Sequence, residues 1–365
     1  MKKIICFTES LAGGGAEHQI ALLSSLLAEE GYEVSLVTYA DIPDHYEVPA
    51  NVKRIRVGEG KGSLIKLISL LKFFLRVDVD CIISYRKMCN IRLLIPMFFR
   101  SHKVKVICSE RNTTTTKPDA ARRFMVHVLY RRADYIVSNS NTQTNYICLE
   151  NPVLRPKLRT IHNYTDLDHF KASPLPSDTD ILKFAVFARY SRQKNPILFM
   201  DALQSLKSRT DRRFEVHWYG NQYSSDGSYN TDFLKVKQYS ENLDISDIFH
   251  MHPAVKDPSA LMSEFHAICL PSLYEGFSNS IAEAICCGKP MLVGKVSDNT
   301  TMVREGINGF LFDPTDIKSI CDAFLKFFNL DFGQMRAMAE CSRNIALELF
   351  DREFFIGQYK ELIES

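Results

Sequence analysis

The sequence predicts an α/β protein built from two Rossmann-like domains in series. Three observations carry that prediction: a length of 365 residues, more than one core usually holds; short apolar strands that alternate with helical stretches; and a polar, proline-containing break near the middle of the chain. Apolar residues at 45% and charged residues at 24% describe an ordinary folded protein and exclude disorder and fibrous repeats. No run approaches about 18 consecutive apolar residues, so no transmembrane helix is expected. The first residues reach Glu9 after too short an apolar stretch for a secretory leader. The ten cysteines are scattered, without a Cys-x-x-Cys pair, and are expected to be reduced and mostly buried in a cytoplasmic protein.

In the first half, Lys3–Thr8 reads as a buried strand, followed by a glycine turn and a helix over Ala16–Glu30 that stops at Gly31. Further strands are expected at Glu33–Tyr39, Val52–Val57, Cys81–Tyr85, Val104–Ser109 and Tyr135–Ser138, with helices between them. Such runs imply a parallel sheet covered on both faces. Lys171–Asp180 is the expected linker, after which the pattern restarts. Phe184–Ala188, a helix over 195–208, Phe214–Tyr219, Phe249–Met251, Ala267–Pro271 and Met291–Gly294 follow.

The net charge of +2 hides an asymmetry. Residues 1–170 carry 24 Lys/Arg against 17 Asp/Glu, and within 53–132 the balance is 19 against 5. A concentration of that kind faces something anionic. Ser63–Arg76 is amphipathic, and 92–105 and 122–132 alternate apolar and basic clusters. An anionic membrane surface meeting residues 61–132 is the expected partner, with core helices carrying charged outer faces as the plain alternative. No nucleic-acid recognition motif accompanies the charge, so no nucleic-acid partner is expected.

Three segments carry chemistry. Leu11-Ala-Gly-Gly-Gly-Ala-Glu-His18 lies between the first strand and its helix, where backbone N–H groups can bind phosphate. Gly13 and Gly15 fit Gly-x-Gly, but His18 occupies the third glycine position, which disfavours a dinucleotide fingerprint, and no P-loop lysine follows. A bare tight turn is the structural alternative. Arg189 and Lys194 follow the strand Phe184–Ala188, at an end where open parallel sheets bind ligands. Two cations there can hold a diphosphate, or form a solvated basic loop. Glu275 and Glu283 flank Gly276 and a helix expected near Ser280. Their spacing alone is a chance event among 20 glutamates, and Ser280-Ile-Ala-Glu283 also reads as a capping box. In the functional reading the helix N-terminus faces phosphate, Glu283 accepts from ribose hydroxyls, Glu275 reaches a second ring, and Gly276 lets the backbone approach the ligand. Asp78-Val-Asp80 is expected to be a solvated helix exit, and no metal site is expected from the scattered His and Asp.

Taken together, Arg-x4-Lys after a strand, Glu-Gly-Phe-x5-Glu-Ala, Gly-x-Pro and Gly306–Pro314 resemble the family-four retaining glycosyltransferases of GT-B fold, of the bacterial surface-polysaccharide and lipid-linked glycan type. Gly14-Gly-Ala-Glu17 and Ile161–Phe170 are similar to that family's glycine loop and domain-closing segment. The resemblance implies an acceptor domain over 1–170, a nucleotide-sugar domain over 181–345, a terminal helix of about 346–365 returning to the first domain, and an interdomain cleft. It places Glu275 toward the donor sugar, Glu283 toward the ribose, and Arg189 and Lys194 against the diphosphate. Backbone amides of Phe277, Ser278 and Asn279 would help hold sugar and phosphate, Gly14 and Gly15 would close over the diphosphate, and the segment through Pro253 would receive the base.

Three positions depart from the family pattern. Ala188 replaces the first glycine of a Gly-Arg pair, and Ser297–Met302 replaces a Gly-Gly-x-x-Glu stretch. Where members carry a loop histidine, this chain reads Cys108-Ser-Glu-Arg-Asn112, which makes Arg111, with Glu110 or Asn112, the candidate near the reacting carbon.

The expected function is retaining transfer of a hexose or N-acetylhexosamine from a UDP-linked sugar to a saccharide or lipid-diphosphate-linked acceptor, in cell-surface glycan synthesis. No cofactor or metal is required, because Arg, Lys and amide dipoles stabilise the leaving diphosphate. The expected location is the inner face of the membrane. A GT-B nucleotide-sugar epimerase and a non-catalytic nucleotide-binding, membrane-associated protein are the alternatives.

Overall fold

The computed structural model describes residues 1–365 except 13, 101, 112–118, 178–179 and 225–226. The chain forms two compact units, Met1–Tyr164 with Arg352–Ser365, and Thr165–Asp351. The break therefore falls at Thr165, ahead of the expected 171–180, and the chain passes back to the first unit at Arg352.

The first unit holds β1 (Lys3–Phe7), β2 (Glu33–Thr38), β3 (Lys53–Arg56), β4 (Cys81–Tyr85), β5 (Lys105–Glu110), β6 (Tyr135–Ser138) and β7 (Leu158–Thr160). They form one seven-stranded parallel sheet in the order β3-β2-β1-β4-β5-β6-β7. Helices α1 (Gly15–Glu29), α2 (Ser63–Arg76), α3 (Lys87–Met97), α4 (Ala120–His127) and α5 (Asn141–Glu150) connect them. Every residue of β4 is buried, as a strand covered on both faces requires. Phe7, Phe74, Ile82, Leu93, Cys108 and Tyr130 lie in one of its apolar clusters. Fully burying such a side chain contributes about 1.5–3 kcal/mol.

The second unit repeats the plan. Its strands are β8 (Ile181–Phe187), β9 (Arg213–Gly220), β10 (Phe249–Pro253), β11 (Ala267–Leu270), β12 (Met291–Gly294) and β13 (Gly309–Phe312). Their order, β10-β9-β8-β11-β12-β13, is that of the first sheet without the seventh strand. Helices α6 (Pro196–Lys207), α7 (Thr231–Glu241), α8 (Asn279–Cys286), α9 (Asn299–Met302), α10 (Ile317–Phe328) and α11 (Phe332–Leu349) belong to it. The last helix, α12 (Arg352–Glu364), is part of the first unit. Phe184, Phe199, Trp218 and Phe324 form the aromatic centre of the second unit's core.

Both sheets reverse strand order at their first strand, between β1 and β4 and between β8 and β11. Ligands of open parallel sheets bind outside the carboxyl ends of the strands at such a point. The strands β7 and β13 were not expected from the sequence. Asp78 and Asp80 follow the end of α2 and are both solvent-exposed, as a helix exit requires, and Asp80 Oδ2 also accepts the Lys3 amide at 2.7 Å. All ten cysteines are free thiols, eight of them buried.

Candidate active site

At the switch point of the second unit, β8 ends at Phe187 and the chain turns through Ala188 and Arg189 into a short 3-10 turn, Arg192–Lys194. Asn195 closes that turn at φ 59° and anchors it by donating Nδ2 to the Pro314 carbonyl at 2.7 Å. Gly220 permits the approach of β9 to this corner: a Cβ there would stand 2.4 Å from the Ala188 carbonyl oxygen. Ala188 itself is not at positive φ, so the missing glycine leaves no backbone strain.

The turn is tied to the loop after β11. Gln193 Nε2 donates to the Tyr274 carbonyl at 2.9 Å, and the Leu273 amide donates to the Gln193 carbonyl at 2.9 Å. These bonds bring Lys194 Nζ to 2.5 Å from Glu275 Oε1, with both side chains about nine-tenths buried at 12% and 8% exposure. Salt screens a pair so sheltered far less than a surface pair. Arg189, by contrast, is exposed and makes no ion pair with a described residue. Gly276 is buried, as are Phe277 and Ser278, and Phe277 packs edge-on against Phe350 at 6.2 Å.

Ser278 is the N-cap of α8, and Asn279 its first residue. The capping box expected at Ser280–Glu283 is not formed. The helix starts two residues earlier, and Ser280 Oγ instead donates to the Phe187 carbonyl at 2.8 Å, pinning α8 to the end of β8. Glu283 thus lies past the first turn, where its carboxylate accepts no hydrogen bond from the described residues. Desolvation, with the charge of Asp257 second, pushes its carboxyl up to about 8. A carboxylate without an internal donor is chemically suited to accept hydroxyl donors from a ligand. Pro253 ends β10 and is exposed.

The first unit fills its own switch point differently. Gly14 caps α1 and Gly15 opens it, while Gly13 lies outside the described residues. A Cβ on Gly14 would stand 2.3 Å from Glu17 Oε2, so the glycine makes room for a carboxylate in the first turn. Glu17 is buried and accepts from Arg86 Nη1 at 2.5 Å; Glu9 lies 3.5 Å from the same nitrogen. Arg86 follows β4 at φ 82°, an uncommon backbone for a side-chain-bearing residue that marks local strain. Arg111, after β5, is buried. Its guanidinium donates to Asn163 Oδ1 at 3.0 Å and to the hydroxyls of Tyr85 and Tyr359, and stacks 4.0 Å over the Tyr85 ring. Glu110 accepts from Arg122, Tyr130 and Gln143. Both are held inside the unit's own polar network, and Asn112 lies outside the described residues.

Residues 13–169 match the Glycosyltransferase Family 4 domain and residues 168–345 the Glycosyl transferases group 1 domain, so two adjoining matches span nearly the whole chain. The chain is a family-four glycosyltransferase of GT-B fold. With that, the expected enzyme class, a hexosyltransferase, holds. Among relatives, the chain is 22% identical to the UDP-Gal:alpha-D-GlcNAc-diphosphoundecaprenol alpha-1,3-galactosyltransferase of Escherichia coli, over 92% of this chain and 90% of that one. It is also 22% identical to the N-acetylgalactosamine-N,N'-diacetylbacillosaminyl-diphospho-undecaprenol 4-alpha-N-acetylgalactosaminyltransferase of Campylobacter jejuni, over 79% of each. Among solved structures, the sucrose-phosphate synthase of Thermosynechococcus elongatus has a TM-score of 0.81 at 16% identity, covering 100% of this chain and 98% of that one. HepE of Anabaena, solved with UDP and glucose, has a TM-score of 0.80 at 18% identity over the whole of both chains.

Sequence reasoning missed two contributors to this glycosyltransferase's switch points. Ser297 adopts φ 47°, and its Oγ accepts the Glu275 amide at 3.3 Å. The signal was present, since Ser297 replaces a family glycine. Arg86 gave no such signal, because nothing in Tyr85-Arg-Lys87 announces a positive φ.

Proposed function

We propose that this glycosyltransferase transfers a hexose or N-acetylhexosamine, with retention, from a UDP-sugar to a lipid-diphosphate-linked saccharide at an anionic membrane surface, in cell-surface glycan synthesis. The buried Lys194–Glu275 pair beside exposed Arg189 is the observation that carries this reading. Lys194 has three N–H donors and spends one on Glu275, which leaves donors for the diphosphate. The pair also fixes the Glu275 carboxylate for sugar hydroxyls. As the bond from the anomeric carbon to the UDP oxygen breaks, negative charge grows on the leaving diphosphate. Arg189, Lys194 and the amides opening α8 stabilise it, each on the order of 3 kcal/mol. The acceptor hydroxyl adds on the same face, and its proton passes to the leaving phosphate. The names of the Escherichia coli and Campylobacter jejuni relatives, a UDP-galactose donor in one and diphosphoundecaprenol acceptors in both, support this substrate class.

The membrane part rests on α2. Leu64, Ile65, Leu67, Ile68 and Leu71 are exposed on it, Leu64 at 71%, beside exposed Lys61, Lys72 and Arg76. Phe99, at 76%, adds a ring after α3. No helix of the described residues is long and apolar enough to cross a membrane. An apolar stripe flanked by cations suits adsorption to an anionic leaflet at the inner face.

Nucleotide release across UDP-, GDP- and ADP-sugars, with and without a membrane lipid extract, tests the transfer reading. Acceptor-dependent release of UDP supports it. Donor turnover without acceptor would mean an epimerase, and nucleotide binding without turnover an adaptor. Sedimentation with phosphatidylglycerol vesicles tests the surface: Leu64→Glu with Ile68→Glu should abolish binding that neutral vesicles never support.

A further inference from the structure

Outside the donor site, the free edge of the second sheet gathers imidazoles. Glu215 and His217 alternate along β9 on the face opposite Trp218 and the core, and β10 runs parallel with His250 beside His217 and His252 beside Tyr219. The metal-binding atoms of Glu215, His217 and His250 all lie within 4.8 Å of one another, and all three residues are half-buried. Two details preorganise the group. His217 Nδ1 lies 3.0 Å from His252 Nε2, and His217 Nε2 lies 3.3 Å from Glu215 Oε2. The ring of His217 is thereby oriented by an outer imidazole at one nitrogen and points its other nitrogen at a carboxylate. Outer partners of this kind orient metal-bound histidines.

We propose that Glu215, His217 and His250 form a binding site for a divalent transition-metal ion of the zinc class. Two imidazole nitrogens and one carboxylate oxygen match what zinc accepts, with water in the remaining position. Hard cations such as magnesium prefer all-oxygen shells and are disfavoured here. The ion would replace the Glu215–His217 contact and clamp β10 to β9. None of its ligands belongs to the donor site, so its role is to brace the edge strand that ends at Pro253, not to take part in transfer.

The chain has one tryptophan, Trp218, adjacent to His217, which makes a built-in reporter. Full-length protein stripped with a chelator is titrated with Co2+ and Zn2+ while tryptophan fluorescence, cobalt visible absorption and Tm are followed. The proposal expects one saturable equivalent of Co2+ with quenching and ligand-field absorption, its displacement by Zn2+, and a rise in Tm with Zn2+. His217→Ala should weaken binding by at least about 10–100-fold. Glu215→Gln and His250→Asn, milder changes checked for folding by circular dichroism, should each weaken it as well. His102→Ala with His127→Ala, both exposed in the first unit, should leave it intact. Absence of saturable binding, or binding equal in wild type and His217→Ala, would overturn the proposal.

Discussion

The two sheets reverse strand order at the same place, yet fill that place with different chemistry. Between β1 and β4 stand two carboxylates, Glu9 and Glu17, on one guanidinium, Arg86. Between β8 and β11 stands one buried pair, Lys194–Glu275, with Arg189 exposed beside it. The first arrangement is closed on itself, and its helix N-terminus already has a carboxylate. The second keeps Arg189 exposed just past the end of β8, where Ser280 pins the start of α8. One topology therefore gives two different sites, and the residues after each strand decide the chemistry of each.

Deleting one cation at each point should affect the two units unequally. Lys194→Met removes the cation that faces the buried Glu275 carboxylate and should destabilise the second unit by about 3–5 kcal/mol. The double variant Lys194→Met with Glu275→Gln should recover much of that loss, as chemical denaturation would reveal. Arg86→Ala exposes the same contrast at lower amplitude. Arg86 is itself 41% exposed, so its loss should cost about 1–3 kcal/mol, mainly from stranding Glu17. Equal losses at both positions would erase the distinction between a sheltered and an open pair.

Glu283 makes the second unit's stability depend on pH. Its carboxyl is raised from an ordinary 4.5 to about 8 by desolvation, so between those values the folded protein keeps a proton that the unfolded chain has released. Stability should accordingly fall as pH rises through that window and level off above 8. Glu283→Gln should flatten this part of the denaturation profile. If ribose hydroxyls donate to the ionised carboxylate, UDP binding at pH 7 expels a proton, measurable by calorimetry in two buffers of different ionisation enthalpy. The smallest effect is expected at Ser297→Gly: relief of the φ 47° strain, about 1 kcal/mol, against loss of the bond to the Glu275 amide. A Tm within a few degrees of wild type fits that balance.

Much of the fold was legible, because strands buried on both faces must be apolar runs and helices between them must carry polar outer sides. β4, β6 and β12 fall at the residues the runs suggested. β7 is only three residues, Leu158-Arg-Thr160, too short for any pattern to register. The start of α8 was misplaced because Ser280-Ile-Ala-Glu283 satisfies the capping-box spacing, while the backbone follows the tie from Ser280 to Phe187 instead. At the site, Lys194 was singled out by its place after a strand and Glu275 by its loop beside Gly276, both supported by motif resemblance, but 81 positions separate them, and no local rule pairs them. His217 and His252, 35 apart, meet only because β9 and β10 are neighbours in register.

In the proposed reaction the Lys194–Glu275 corner holds and activates the sugar donor. Acceptor-dependent UDP release by wild type, Lys194→Ala and Glu275→Ala, each checked for native circular dichroism, tests it most directly. Folded Glu275→Ala and Lys194→Ala should lose about 10²–10³-fold in kcat. Release at the wild-type rate from folded Glu275→Ala would contradict it.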